Sequence, residues 1–172
     1  SCNVYFYNTG RLVGPETLAR YSRELGLGAT VEIELPQVEG GIIPDEKWKR
    51  AVFHDAWYPG ETLNFAIGQG FVLTTPLQIA RLIGIIATEG RLPPVHIVKT
   101  ATAHSLKPWR LSAKPEHMRQ LKEAMLRVVQ SDRGTGRIAR VDFMKLAAKT
   151  GTAQVPPKTA HAWFSGFFPY ED

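Results

Sequence analysis

Lys149-Thr150-Gly151-Thr152-Ala153-Gln154 sets a cation, two hydroxyls and a glycine side by side in a segment, Leu146 to Val155, that reads as a β-strand. A strand edge of this composition offers a fixed positive charge, hydroxyl donors and an unobstructed backbone. Together these suit an anionic peptide that pairs with the edge as an added strand. Downstream, Pro156-Pro157 reads as a turn and His161 to Phe168 as a second strand, antiparallel to the first. A sheet ordinarily holds about five or six strands, so two neighbours with open edges predict that the chain stops inside a fold.

Upstream of the strand, Ser131-Asp132-Arg133-Gly134-Thr135-Gly136 breaks an expected amphipathic helix over Pro115 to Val129, with Met118, Leu121, Met125 and Val128 on its buried side. Thr74-Thr75-Pro76 opens another helix, in which Leu77, Ala80, Ile83, Gly84 and Ala87 share one side and Leu82, Ile85 and Ile86 another. Apolar on most sides, it is expected to be central, although Gly84 costs it about 1 kcal/mol relative to alanine. Between these helices Gly90 to Ala103 reads as a peripheral hairpin. Asn3 to Arg11 reads as a helix whose Val4, Tyr5, Phe6 and Tyr7 leave it apolar on nearly every face, as in a buried helix. Gly14-Pro15-Glu16 starts a second helix that ends at Leu25. Val31, Ile33 and Leu35 alternate with Glu32 and Glu34, which predicts a short half-buried strand before a turn-rich loop from Pro36 to Pro44. Asp45 to Phe53 is expected as a short helix carrying Trp48, and His54 to Gly60 as an irregular aromatic loop.

At 172 residues, 44% hydrophobic and 22% charged, the chain has a globular balance and enough length for one ordinary core. Its longest apolar run, around Ile79 to Ala87, is broken by Arg81 and falls well short of the roughly 20 residues a membrane span needs. Ser1 to Gly10 shows neither a basic n-region nor a small-residue cleavage site, and both ends read as interruptions of a fold. The formal charge of +5 favours anionic partners. The cations are nevertheless scattered without an aromatic-basic pattern or recognition helix, which argues against nucleic acid. Cys2 has no second cysteine to pair with and is expected to be an ordinary buried thiol. Five histidines lack a His-x-x-x-His pair or the carboxylate clustering of a zinc site, so no metal site is expected.

Several signatures recur in a telling order: Ser1-Cys2-Asn3 at a helix start, Ile67-Gly68-Gln69-Gly70, Thr75-Pro76-Leu77-Gln78 leading an apolar helix, and a Gly134-Thr135-Gly136 turn. Lys149 to Gln154 and His161-Ala162-Trp163-Phe164 complete the series. Each tripeptide alone recurs by chance, but the joint order resembles the penicillin-binding transpeptidase domain over essentially the whole chain. The Ile-Gly-Gln-Gly form resembles the class B branch of the penicillin-binding protein 2 type, associated with cell elongation. The resemblance implies an α/β fold of the α+β kind, an antiparallel sheet packed by helices. Residues 1–172 would be the C-terminal part of one such domain, from the Ser-x-Asn motif to the strand after Lys-Thr-Gly. The Ser-x-x-Lys motif that comes first in the family is not in this sequence.

The resemblance implies a peptidoglycan D,D-transpeptidase. A serine attacks the carbonyl between two D-alanines of a stem peptide, and the acyl-enzyme passes to an amine of a neighbouring strand. It gives Ser1 a part in proton transfer beside the first-motif lysine and lets Asn3 orient the substrate amide. Lys149 attracts the terminal carboxylate with the hydroxyls of Thr150 and Thr152, while Gly151 leaves the edge open. The Thr152 N–H serves as one oxyanion donor. Gln69, His161 and Trp163 are expected to be structural. No cofactor is implied. The implied partners are stem peptides, β-lactam antibiotics and a membrane glycosyltransferase of the elongation machinery. The parent is expected on the periplasmic side of the bacterial inner membrane, anchored by a helix outside this sequence, and the chain without the nucleophile is expected to be inert. Hydrolases and sensors of β-lactams, and non-catalytic scaffold domains of the same fold, are the other classes that such motifs leave open.

Overall fold

A computed structural model describes residues 2–36, 38–91, 95–98 and 111–171. They form six α-helices, one short 3-10 helix and one two-stranded sheet, divided between two compact units: Ser1–Val31 with Gln37–Thr75, and Glu32–Pro36 with Pro76–Asp172.

In the first unit, α1 (Asn3–Val13) and α2 (Pro15–Glu24) meet at Gly14, whose φ of +80° ends one helix while Pro15 begins the next. α1 crosses α4 (Pro59–Ala66) at Gly10, where a Cβ would lie 2.2 Å from the Ala66 Cβ, so only glycine permits this approach. The expectation of a buried α1 is corrected here. Val4, Tyr5 and Phe6 are exposed, and Gly10 is the buried residue of the helix. Helix α2 contributes Ala19 to a core with Ile43 and Phe65, against which Leu18, Leu27, Trp57 and Val72 pack.

Helix α3 (Glu46–Phe53) is capped by Asp45, whose carboxylate accepts from the Trp48 N–H at 2.7 Å. The same carboxylate takes the Arg23 guanidinium at 2.6 Å, tying α2 to α3. Burial pushes the Asp45 carboxyl up, but the Trp48 N–H and the Arg23 charge outweigh it and hold the group below the usual carboxylate range. Lys49 is buried on α3 beside Glu61, 3.4 Å from Asp55 and 4.2 Å from the Tyr58 ring centre. Residues 54–58 are irregular as expected, but Pro59 opens α4 rather than continuing the loop. Glu61 of its first turn accepts from the Tyr58 N–H at 2.7 Å and so caps a start that the Pro-Gly pair disguised.

The predicted strand at Val31 to Leu35 does not form. Val31 is buried but Leu35 is exposed, the stretch is bent, and Ile42 rather than this segment bridges Leu73. Alternation describes a strand only where a second strand accepts its hydrogen bonds.

In the second unit α5 (Pro76–Ala87) buries Gln78, Ile83 and Ile85. Helix α6 (Pro115–Gln130) buries Met118, Met125 and Val129, and the core joins Ile83, Met125 and Ala147. Leu121, expected on that face, is 49% exposed. At 100° per residue it lies about 60° from the line through Met118 and about 40° from Met125 on the outer side. The hairpin expected at Gly90 to Ala103 falls largely outside the described residues, and 95–98 contain no strand.

Strands β1 (Ala147–Val155) and β2 (Lys158–Phe167) pair antiparallel as expected, with Ala147 opposite Phe167 and Lys149 opposite Ser165. No helix among the described residues is long and apolar enough to cross a membrane.

Candidate active site

Strand β1 leaves the core at the motif itself. Ala147 and Ala148 are fully buried, whereas Lys149, Gly151 and Thr152 are exposed and Thr150 is half-buried. Ala147 anchors one end of the strand against Ile83 of α5 and Met125 of α6, and the exposed motif side chains lie toward the other. β2 occupies one edge of β1; the opposite edge carries no strand among the described residues. Such an edge presents backbone donors and acceptors to an extended peptide.

Within this edge Thr150 pairs with Phe164, Gly151 with Trp163 and Thr152 with Ala162. Strand alternation puts Thr150 and Thr152 on one face. The Lys149 ammonium bends along the strand and donates to the Thr150 carbonyl oxygen at 2.5 Å. A Cβ on Gly151 would meet only the Trp163 Cβ at 3.4 Å, an ordinary contact. Packing does not demand glycine there. Gly166 contrasts with it: a Cβ would lie 2.5 Å from the Ala147 carbonyl oxygen and 2.7 Å from the Ala148 Cβ.

One contact went unread in the sequence. The Thr135 and Thr150 hydroxyls lie 2.8 Å apart. Thr135 belongs to the turn after α6, and the glycines on both sides of it were the available sign that this turn approaches other backbone closely.

The remaining candidates fall elsewhere. Asn3 is the first residue of α1, in the first unit, while Lys149, Thr150, Gly151 and Thr152 lie in the second. Ser1 lies outside the described residues. Cys2, expected to be buried, is an exposed free thiol at the N-cap of α1, because that position faces solvent before the helix begins. His161 is exposed and Trp163 half-buried on β2, and Gln69 donates its backbone N–H to the Asn64 carbonyl at 2.9 Å in the turn that closes α4.

Comparison with known proteins places these features in context. The family profile described as "Penicillin binding protein transpeptidase domain" matches residues 1–172. The peptidoglycan D,D-transpeptidase MrdA of Acinetobacter baumannii is 34% identical over 165 residues, covering 90% of this chain and 24% of that protein. MrdA of Haemophilus influenzae is 30% identical over 196 residues, covering all of this chain and 30% of that protein. Among solved structures, PBP2 of Helicobacter pylori in complex with MreC superposes with a TM-score of 0.90 at 38% identity, over 98% of this chain and 32% of its own. Pseudomonas aeruginosa PBP2 in complex with WCK 5153 gives 0.89 at 32% identity, over 98% of this chain and 39% of its own. The chain thus spans between about a quarter and two fifths of the length of these relatives.

Proposed function

The chain belongs to the penicillin-binding protein transpeptidase family and resembles its PBP2 branch, and from that membership we propose that the protein it represents is a peptidoglycan D,D-transpeptidase. The observation that carries the proposal is the emergence of Lys149-Thr150-Gly151-Thr152 from the core onto an edge of β1 with no neighbouring strand among the described residues, in a chain matched end to end by the family.

The reaction is an acyl transfer. A serine of the Ser-x-x-Lys segment adds to the carbonyl between two D-alanines, the terminal D-alanine leaves with a proton on its amine, and an amine of a second stem peptide displaces the serine. Lys149 is proposed to hold the substrate carboxylate, with Thr150, Gly151 and Thr152 lining the bound peptide. A cation and hydroxyls answer an anion with charge-assisted hydrogen bonds, the stronger kind. By the family motif Ser1 and Asn3 are proposed as the other catalytic residues, moving the proton and orienting the amide. The family relation also supports β-lactams as inhibitors, a location on the periplasmic side of the inner membrane, and association with a glycosyltransferase. A related structure, 38% identical, concerns a peptidoglycan synthase complex that coordinates polymerization and crosslinking.

Labelling of the full-length protein with a fluorescent penicillin tests the proposal. Stable labelling of the wild type is expected, with at least about tenfold slower labelling after Lys149→Ala, the loss of one charged hydrogen-bonding partner. No labelling of the wild type, or labelling indifferent to Lys149, would sink it. Rapid release of hydrolysed penicillin would instead identify a β-lactamase.

A further inference from the structure

We infer that Thr135 is a positioning residue for the substrate carboxylate, acting through the hydroxyl of Thr150. The inference rests on the transpeptidase reading above and extends its binding site to the turn after α6.

The turn is clamped from two sides. A Cβ on Gly134 would lie 2.2 Å from the Val128 carbonyl oxygen, and one on Gly136 would lie 3.2 Å from both Phe164 Cε2 and Val128 Cγ1. The Gly136 N–H donates to the Val128 carbonyl at 2.9 Å, and the Gly134 N–H to that of Ser131 at 2.8 Å. The two glycines therefore let the chain lie directly on the end of α6 and on Phe164. Phe164 is the cross-strand partner of Thr150, and in an antiparallel pair such partners share a face. The close approach that requires glycine at 134 and leaves little room for a side chain at 136 also delivers the Thr135 hydroxyl to Thr150 at 2.8 Å.

The proton count then gives the bond a direction. A threonine hydroxyl has one proton and two lone pairs, whereas a carboxylate only accepts. When an anion binds Thr150, the Thr150 proton goes to it, so the proton between the two threonines comes from Thr135. Thr135 thus donates to Thr150, Thr150 donates to the carboxylate, and each bond polarises the next. The Thr135 hydroxyl, 2.8 Å away, favours the Thr150 rotamer that makes this bond.

A plain strut between turn and strand would leave the same contact, so the test separates recognition from scaffolding. The full-length protein is acylated with benzylpenicillin and with its methyl ester, which lacks the anion, and second-order rate constants are compared for wild type, Thr135→Val, Thr135→Ala and Thr135→Ser, with unfolding temperatures measured alongside. Loss of one hydrogen bond in a chain ending on a charged acceptor corresponds to about tenfold. Thr135→Val and Thr135→Ala are expected to slow the acid about tenfold and the ester by less than about twofold, and Thr135→Ser to restore the wild-type ratio. Equal losses on acid and ester, or no loss on either, overturn the inference; if Thr135→Val fails to fold, the alanine and serine variants decide it by the same ratio. A wild type that takes up no penicillin overturns the transpeptidase reading, and this one with it.

Discussion

Asp45 is 7% exposed, yet it remains a carboxylate because two donors reach it: the Trp48 N–H at 2.7 Å and the Arg23 guanidinium at 2.6 Å. One side chain caps α3 and ties it to α2. Asp45→Ala removes both interactions and is expected to lower stability by about 2 kcal/mol, the upper part of the range for a lost helix cap. Asp45→Asn keeps a capping oxygen and should cost less; urea unfolding of the two variants checks the order. Cys2 and Thr135 show the opposite side of reading single residues. Thiols are buried on average, but Cys2 sits before the first helical turn, exposed among the described residues. Thr135 looked like a turn residue between glycines, and its partner, fifteen residues away, was not evident from local composition.

Helix α1 and helix α4 touch through Gly10 and Ala66, a contact with no slack. Gly10→Ala is expected to destabilise the first unit by about 1–3 kcal/mol, the usual cost of overpacking, despite the better helix propensity of alanine. Adding Ala66→Gly should recover part of that loss. Thermal unfolding of both single variants and the double variant gives the coupling, which is expected to be clearly non-zero because the two atoms share one space. The same pair explains why α1 could not be placed from its pattern. Val4, Tyr5 and Phe6 suggested a buried helix, but the buried position is a glycine, which hydrophobic periodicity does not register. Helix α4 was hidden by Pro59-Gly60, which reads as a loop although proline suits a first helical turn. Helix α1 was legible as a helix though not in its exposure, and α2, α3, α5 and α6 and both strands were legible because each carries a start signal or a sustained period.

Across the chain, acid is expected to weaken the fold through Asp45. Its folded pKa lies below the ordinary value, so its contribution to stability is complete above the unfolded-state pKa and is lost as pH falls through the folded one. The window lies below about pH 4. Denaturant midpoints of the wild type are expected to fall more steeply there than those of Asp45→Asn, which has no proton to gain; parallel curves would show that other groups govern the acid limb.

Residue order alone was enough for the family, the two terminal strands, most helices and the Lys149 to Thr152 motif, because those depend on local periodicity and on the chemistry of consecutive side chains. It could not say which apolar faces are covered, that Val31 to Leu35 pairs with no strand among the described residues, or that Thr135 meets Thr150. Those facts depend on which distant segments come within a few ångströms of each other, and close packing between elements, made possible at Gly10, Gly134 and Gly136 by a missing Cβ, settles that only when the chain is folded.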